Sequence, residues 1–341
     1  MSQIKKVNER DYSIDFAKGV TVISIIFIHT VWWSGTSYAP DILRQLSLLI
    51  DVPLFFFLSG CSATFAFKKE KPFSGIVRLI SLFTLAYFIY ALIYKQEQLF
   101  EFTFSALFIN YLNTYEIAVF SNSTWFILPF VIVYITGFII IKQIGSKNIL
   151  LLICLILFYF ILKYDQIHAL SKYKLLSLSA DYLFSYLLFF LLGYYFKSTL
   201  TPKLYKTIGA ILLLCSLSAT LWIYWDIPFN LQNYKFPPKI EYVVASIISI
   251  SLFLITARLI KKEYKINYIG KNALSFYLAQ GIGSSLLFQL SPLLQIEWYY
   301  KLPIMFLFNL VSSTIIAIAV IYIFNNYTKI GNTIIKRIDD L

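Results

Sequence analysis

The sequence predicts an all-α, polytopic integral membrane bundle of about ten transmembrane helices, with both termini on the cytoplasmic side. Three observations carry this expectation. Hydrophobic residues make up 59% of the chain and charged residues only 13%. A soluble domain carries roughly 25% charged residues, so water cannot cover a body of 341 residues built this way. Apolar runs of about 20 residues, the length that crosses a hydrocarbon core, recur along the chain, and Lys and Arg gather in alternate connections.

Taken in order, the apolar runs place helices near residues 16–33, 46–67, 76–94, 122–141, 148–162, 180–196, 207–225, 241–259, 271–290 and 302–324. The first run is as long as a full span and lacks a small-residue cleavage site, so it reads as a retained helix rather than a signal peptide. The stretch 99–112 is apolar but short, contains Glu101 and Asn110, and reads as an interfacial or re-entrant helix. Residues 226–240, with Asp226, Pro228, Pro237 and Pro238, read as an outer loop. No interval remains for a soluble module, so 1–341 reads as one membrane domain.

Orientation follows from the connections. Inside segments hold Lys5, Lys6, Arg10 and Lys18; Lys68, Lys69, Lys71 and Arg78; Lys142 and Lys147; Lys197, Lys203 and Lys206; Arg258, Lys261, Lys262, Lys265 and Lys271; and Lys329, Lys336 and Arg337. Outside segments hold Arg44, Lys95, Lys163, Lys172, Lys174, Lys235, Lys239 and Lys301. The net charge of +12 is therefore read as orientation and not as nucleic-acid binding, with an anionic ligand on the basic side as a second reading. Cys61, Cys154 and Cys215 each lie in an apolar run without a CxxC or Cys/His pattern, which argues against a disulfide framework or a metal site.

Ionisable residues inside spans are costly and mark function by default. Asp15, Lys18, Val22, Ile25 and His29 fall on one face of the first helix. The ends of that stripe lie roughly 21 Å apart, so it reads as the wall of a path with a charged inner mouth and an imidazole deeper inside. An interfacial His bonded to a carbonyl is the alternative. Asp51 falls at a similar depth on the next helix, where a carboxylate would orient His29 and raise its basicity, as a general base requires. Asp51 snorkelling to the interface is the other reading. Pro53 is expected to kink this second helix, and Ser59-Gly60 to permit close helix approach. Arg78, behind Lys68, Lys69 and Lys71, is either an ordinary positive-inside residue or part of a phosphate-binding mouth. Asn122, Ser123 and Trp125 open a later helix at the outer side, where an aromatic belt and a sugar-binding surface use the same residues. Gln280 and Asn309 read as interhelical hydrogen-bonding residues.

These residues together resemble the acyltransferase-3 family of membrane O-acyltransferases. Arg10-x4-Asp15-Phe-Ala-Lys18-Gly19, followed by His29, is similar to the family's opening signature. Val52-Pro53-Leu-Phe-Phe-Phe-Leu-Ser59-Gly60 is similar to its second-helix motif, Trp125-Phe126 to its later aromatic pair, and Ile269-Gly270-Lys271-Asn272-Ala-Leu-Ser275-x-Tyr277 to its late segment. The resemblance implies a roughly ten-helix enzyme of the cytoplasmic membrane. It would move an acyl group, usually acetyl, from acyl-CoA to a hydroxyl of a saccharide, glycan lipid or cell-surface polysaccharide, without a metal. His29 would match the catalytic histidine, with Asp51 beside it. Arg78, Lys18 and Arg10 would serve the CoA, and Asp15, Asn122, Trp125 and Ser59 the acceptor. The chain departs from the pattern in having one arginine at the third-helix start and Gln280 where a histidine often stands. A transporter or flippase for a saccharide or lipid-linked glycan is the rival reading. Its expected paired halves with broken helices are not evident.

Overall fold

The computed structural model describes residues 11–34, 38–68, 72–94, 123–162, 174–175, 178–225 and 228–339. The described chain is all-helical apart from a minimal antiparallel hairpin, in which Lys174–Leu175 pairs with Leu178–Ser179. In order the helices are α1 (Tyr12–Trp33), α2 (Asp41–Ser47), α3 (Val52–Lys68), α4 (Ser74–Tyr94), α5 (Ile127–Leu162), α6 (Ala180–Thr199), α7 (Pro202–Ile223), α8 (Ile240–Thr256), α9 (Lys265–Lys271), α10 (Ala273–Leu290) and α11 (Trp298–Asp339).

Helix starts follow local chemistry. Asp11 caps α1, its carboxylate accepting from the backbone N–H of Ser13 at 2.9 Å and of Ile14 at 3.4 Å, which satisfies donors left over in the first turn. Pro202 occupies the first position of α7, where its missing N–H costs nothing. Pro53 takes the second position of α3. The expected kink inside one long helix is therefore replaced by a break at Leu48–Asp51, with the short α2 before it. The expected helices 122–141 and 148–162 also differ: they form one continuous helix, α5. The polar stretch 142–147 contains no proline, and a single interior glycine costs only about 1 kcal/mol, too little to end a helix.

Six helical stretches among the described residues are long and apolar enough to cross a membrane, against about ten expected. They are Tyr12–Trp33, Asp41–Lys68 (α2 and α3 together), Ile127–Ile144, Leu204–Ile223, Ile240–Leu259 and Trp298–Tyr327. α6 and α10 fall outside that set because tyrosine, serine, glycine and glutamine replace aliphatic side chains. Both are largely buried by their neighbours. The interfacial helix expected at 99–112 lies outside the described residues.

Lipid offers apolar side chains no less than a protein interior does, so a membrane bundle is held by close packing and buried polar contacts. The core is dense in aromatics. Phe56 stacks on Tyr186 with centroids 4.5 Å apart, and Phe126 meets Phe55 and Phe56 at 5.2 Å. Glycine sets the closest crossings. A Cβ on Gly60 of α3 would lie 1.9 Å from the Phe190 carbonyl oxygen, and one on Gly193 of α6 would lie 1.9 Å from that of Phe57. The opposite surfaces of α7 and α11 expose Leu214, Leu221, Leu307, Ile315 and Ile318, an apolar coat suited to lipid chains. Cys61 is buried, whereas Cys154 and Cys215 face outward, and all three are free thiols.

Candidate active site

Two polar centres lie at different levels along α1. The first, near the end where α1 begins, is a cavity of about 250 Å³. Lys18 of α1, Ser59 and Ser62 of α3, Arg78 of α4, and Lys271 and Ser275 beside them line it, with Phe130 and Tyr134 as apolar walls. Lys18 Nζ donates to the Ser62 hydroxyl at 2.7 Å. Lys271 is held by Glu263 at 2.6 Å. Arg78 is exposed, its guanidinium carbon 6.0 Å from the centre of the Phe324 ring. Three cations from three parts of the chain thus converge on one recess, an arrangement suited to a polyanion such as a phosphate chain. Three residues singled out in the sequence, Lys18, Arg78 and Ser59, meet here. Lys271 joins them from the late motif.

The recess exists because α9 lies against α1. Gly19 and Gly270 form the crossing: a Cβ on Gly270 would lie 1.6 Å from the Asp15 carbonyl oxygen, and one on Gly19 would lie 2.5 Å from that of Ile266. Fully buried Asn267 ties the pair, donating from Nδ2 to the Tyr12 carbonyl at 2.7 Å and accepting from the Tyr264 N–H at 2.8 Å. Asp15 is buried in this first turn and does not line the cavity. Arg10 and Asn122, expected at the donor and acceptor sites, lie outside the described residues.

The second centre surrounds Asp51 at the start of α3, and its direct partners were not foreseen. Lys235, from the loop before α8, places Nζ 2.6 Å from Asp51 Oδ2. The Tyr242 hydroxyl donates to the same oxygen at 2.7 Å. All three side chains are buried. His29 is buried nearby, close enough for the charges of Asp51 and Lys235 to act on it. The expected Asp51–His29 hydrogen bond is not formed: Asp51 is turned to Lys235 and Tyr242, and His29 Nδ1 has no hydrogen-bond partner. Tyr186 and Tyr277 complete the surroundings within electrostatic reach of Asp51. Tyr277 donates to the Ser123 carbonyl. Trp125 stands edge-on to Phe236 at 5.2 Å, which brings the later aromatic pair beside the Lys235 loop. Lys235 sits in the run Tyr234-Lys235-Phe236-Pro237-Pro238, and that apolar setting was the available signal for its burial.

The level between the centres is closed. Lys18 and His29 are eleven residues apart, roughly 16 Å along a helix. Val22 and Ile25 between them are buried in the main core and do not form the wall of an open path. Among the described residues no group of three or more His, Cys, Asp or Glu side chains is placed to hold a metal ion.

A family model described as an acyltransferase domain matches residues 11–325, nearly the whole chain. The chain belongs to the acyltransferase-3 family. No curated protein and no solved structure gives a significant match. Membership in the acyltransferase-3 family makes the protein an acyltransferase and decides against the transporter reading. The apolar helices make it a multi-pass membrane acyltransferase. The family match also covers both glycine-containing segments that cross at Gly19 and Gly270.

Proposed function

We propose that this membrane acyltransferase moves an acyl group, acetyl in the first instance, from acyl-CoA to a hydroxyl of a saccharide, glycan lipid or cell-surface polysaccharide. The reading takes 1–341 as one domain of about ten spans in the cytoplasmic membrane, with both termini cytoplasmic. The observation that carries it is the pairing of a three-cation recess on α1 with a buried histidine farther along the same helix, whose Nδ1 is unpartnered.

In this reading Lys18, Arg78 and Lys271 bind the donor's phosphates, and Arg10 is assigned to the same donor. Ser59 is a hydrogen-bonding group of the recess. The thioester reaches His29 when α1 and its neighbours part at Val22 and Ile25. His29 accepts the proton of the acceptor hydroxyl as its oxygen attacks the thioester carbonyl. The tetrahedral intermediate collapses, the carbon–sulfur bond breaks, and the CoA thiolate leaves and takes the proton. The products are an ester and CoA. Asp51 supports the positive imidazole formed during the transfer. Trp125 contacts the acceptor, with Asn122 assigned to the same role, and Asp15 holds the turn of α1 that precedes Lys18.

Mass spectrometry of surface glycans tests this in cells with the intact protein, without it, and with His29→Ala at matched expression. The expected result is an acyl mass increment lost from both altered strains. An increment that survives His29→Ala removes the histidine from the chemistry. Equal acylation in all three strains removes the glycan acceptor.

A further inference from the structure

We propose that Lys235 is a positioning residue of the transfer reaction: it fixes Asp51 and matches its charge, so that His29 rests as a neutral imidazole able to take a proton. The inference rests on the reading of His29 as general base.

A buried carboxylate beside an imidazole ordinarily draws a proton onto the ring and leaves an ion pair. A histidine in that state has no capacity to act as a base. Here the carboxylate has another cation. Lys235 Nζ lies 2.6 Å from Asp51 Oδ2, with the two side chains 8% and 3% exposed. The Tyr242 hydroxyl donates to the same oxygen. His29 Nδ1 meets no acceptor, so a proton there would place an unpaired charge in a buried site, a costly arrangement.

The charged groups that act on His29 come from two neighbouring elements. Asp51 comes from the start of α3 and Lys235 from the loop before α8, while Tyr242 of α8, Tyr186 of α6 and Tyr277 of α10 surround Asp51. Asp51 and Lys235 cancel, and the tyrosines are neutral. The position of Lys235 is built into the fold. Its loop is pinned by the Gln232 N–H donating to Gln45 Oε1 at 3.1 Å and by Leu231, which is fully buried against Ile28 and Leu48.

The chain contains two histidines, His29 and His168, which makes the charge of His29 directly readable. Protein labelled with 15N-histidine and carrying His168→Asn is reconstituted in lipid, and the imidazole nitrogens are observed by NMR at pH 7. The expected parent spectrum is that of a neutral ring. Lys235→Met is expected to raise the charged-to-neutral ratio at least tenfold, about one pH unit. Lys235→Arg and the double variant Lys235→Met/Asp51→Asn are expected to restore the neutral pattern. A charged ring in the parent, or an unchanged ratio in folded Lys235→Met, overturns the proposal. Should Lys235→Met fail to fold, acid titrations of the parent and the double variant decide. Coincident curves support a matched charge pair, and a parent ring that charges at markedly higher pH refutes it. The readout needs no acyl transfer, so its failure is separate from loss of acylation in His29→Ala.

Discussion

Gly19 and Gly270 lie backbone to backbone where α9 crosses α1, each occupying space that a single methyl group would fill. This contact joins the chain's opening motif to its late motif and holds Lys18 and Lys271 at one recess. Gly270→Ala is expected to destabilise the fold by at least about 1–3 kcal/mol, the usual cost of overpacking, because the nearest atoms are backbone and cannot rotate away. Gly75→Ala is the control. A Cβ there meets nothing within 4 Å, so its melting temperature in detergent should equal that of the parent or exceed it slightly. Equal melting of Gly270→Ala and the parent would show that the crossing is looser than described.

The cation recess predicts a binding defect. Arg78→Ala and Lys18→Ala each remove a charged hydrogen-bond donor from the proposed phosphate site, and such bonds contribute about 1.5–3 kcal/mol. The KM for acetyl-CoA should rise roughly tenfold or more, with a smaller change in kcat. Arg78→Lys should recover part of the loss, since it keeps the charge but not the planar fork. Steady-state kinetics in proteoliposomes make the distinction. A fall in kcat at constant KM would place the donor elsewhere.

The apolar helical runs and three residues of the basic recess were legible in the sequence because their signals are local. Apolar runs mark spans, and Lys18, Ser59 and Arg78 sit in motifs at fixed distances from helix starts. Two kinds of feature were not legible. The continuation of α5 through 142–147 hides behind polar residues that usually mark a connection, although none of them forbids helix. The partner of Asp51 depends on a contact across 184 positions of chain, from Asp51 to Lys235. A lysine in an outer loop ordinarily points to water, and only the packing of Leu231 and the Gln45–Gln232 bond turns this one inward. The place of Asp51 in the second apolar run marks it as a candidate partner of His29 or as an interfacial carboxylate, and the structure buries it. Its direct partners were not legible.

Tyr242 separates hydrogen bonding from packing at the second centre. Its ring is fully buried and its hydroxyl donates to Asp51. Tyr242→Phe removes the hydroxyl alone and should cost about 1 kcal/mol, a typical net hydrogen bond, because Lys235 still holds the carboxylate. Tyr242→Ala also opens a cavity and should cost about 3–5 kcal/mol. Thermal unfolding of the two variants in one detergent gives the comparison. A Phe variant as unstable as the Ala variant would mean that Lys235 cannot hold Asp51 unaided.

Asp11 predicts a dependence of stability on acid. Its carboxylate caps α1 and pairs with Lys197 at the end of α6. Burial pushes this carboxyl up, but the hydrogen bonds from Lys197 and Ser13 and the charge of Lys197 outweigh it, and the group ends below its ordinary value of 3.8. The folded chain therefore binds the Asp11 proton less readily than the unfolded chain does. Its contribution is complete at pH values above the ordinary carboxylate range and is lost as pH falls through the lowered folded value. Asp11→Asn keeps a capping oxygen and removes the charge, so the parent should melt above it by a constant margin from neutral pH down to about 5, shrinking below about 4. Asp11→Ala also loses the cap, which contributes about 1 kcal/mol, and should melt below Asp11→Asn across the range. A margin between the parent and Asp11→Asn that grows in acid would reverse the sign and rule out the Lys197 pair as its source.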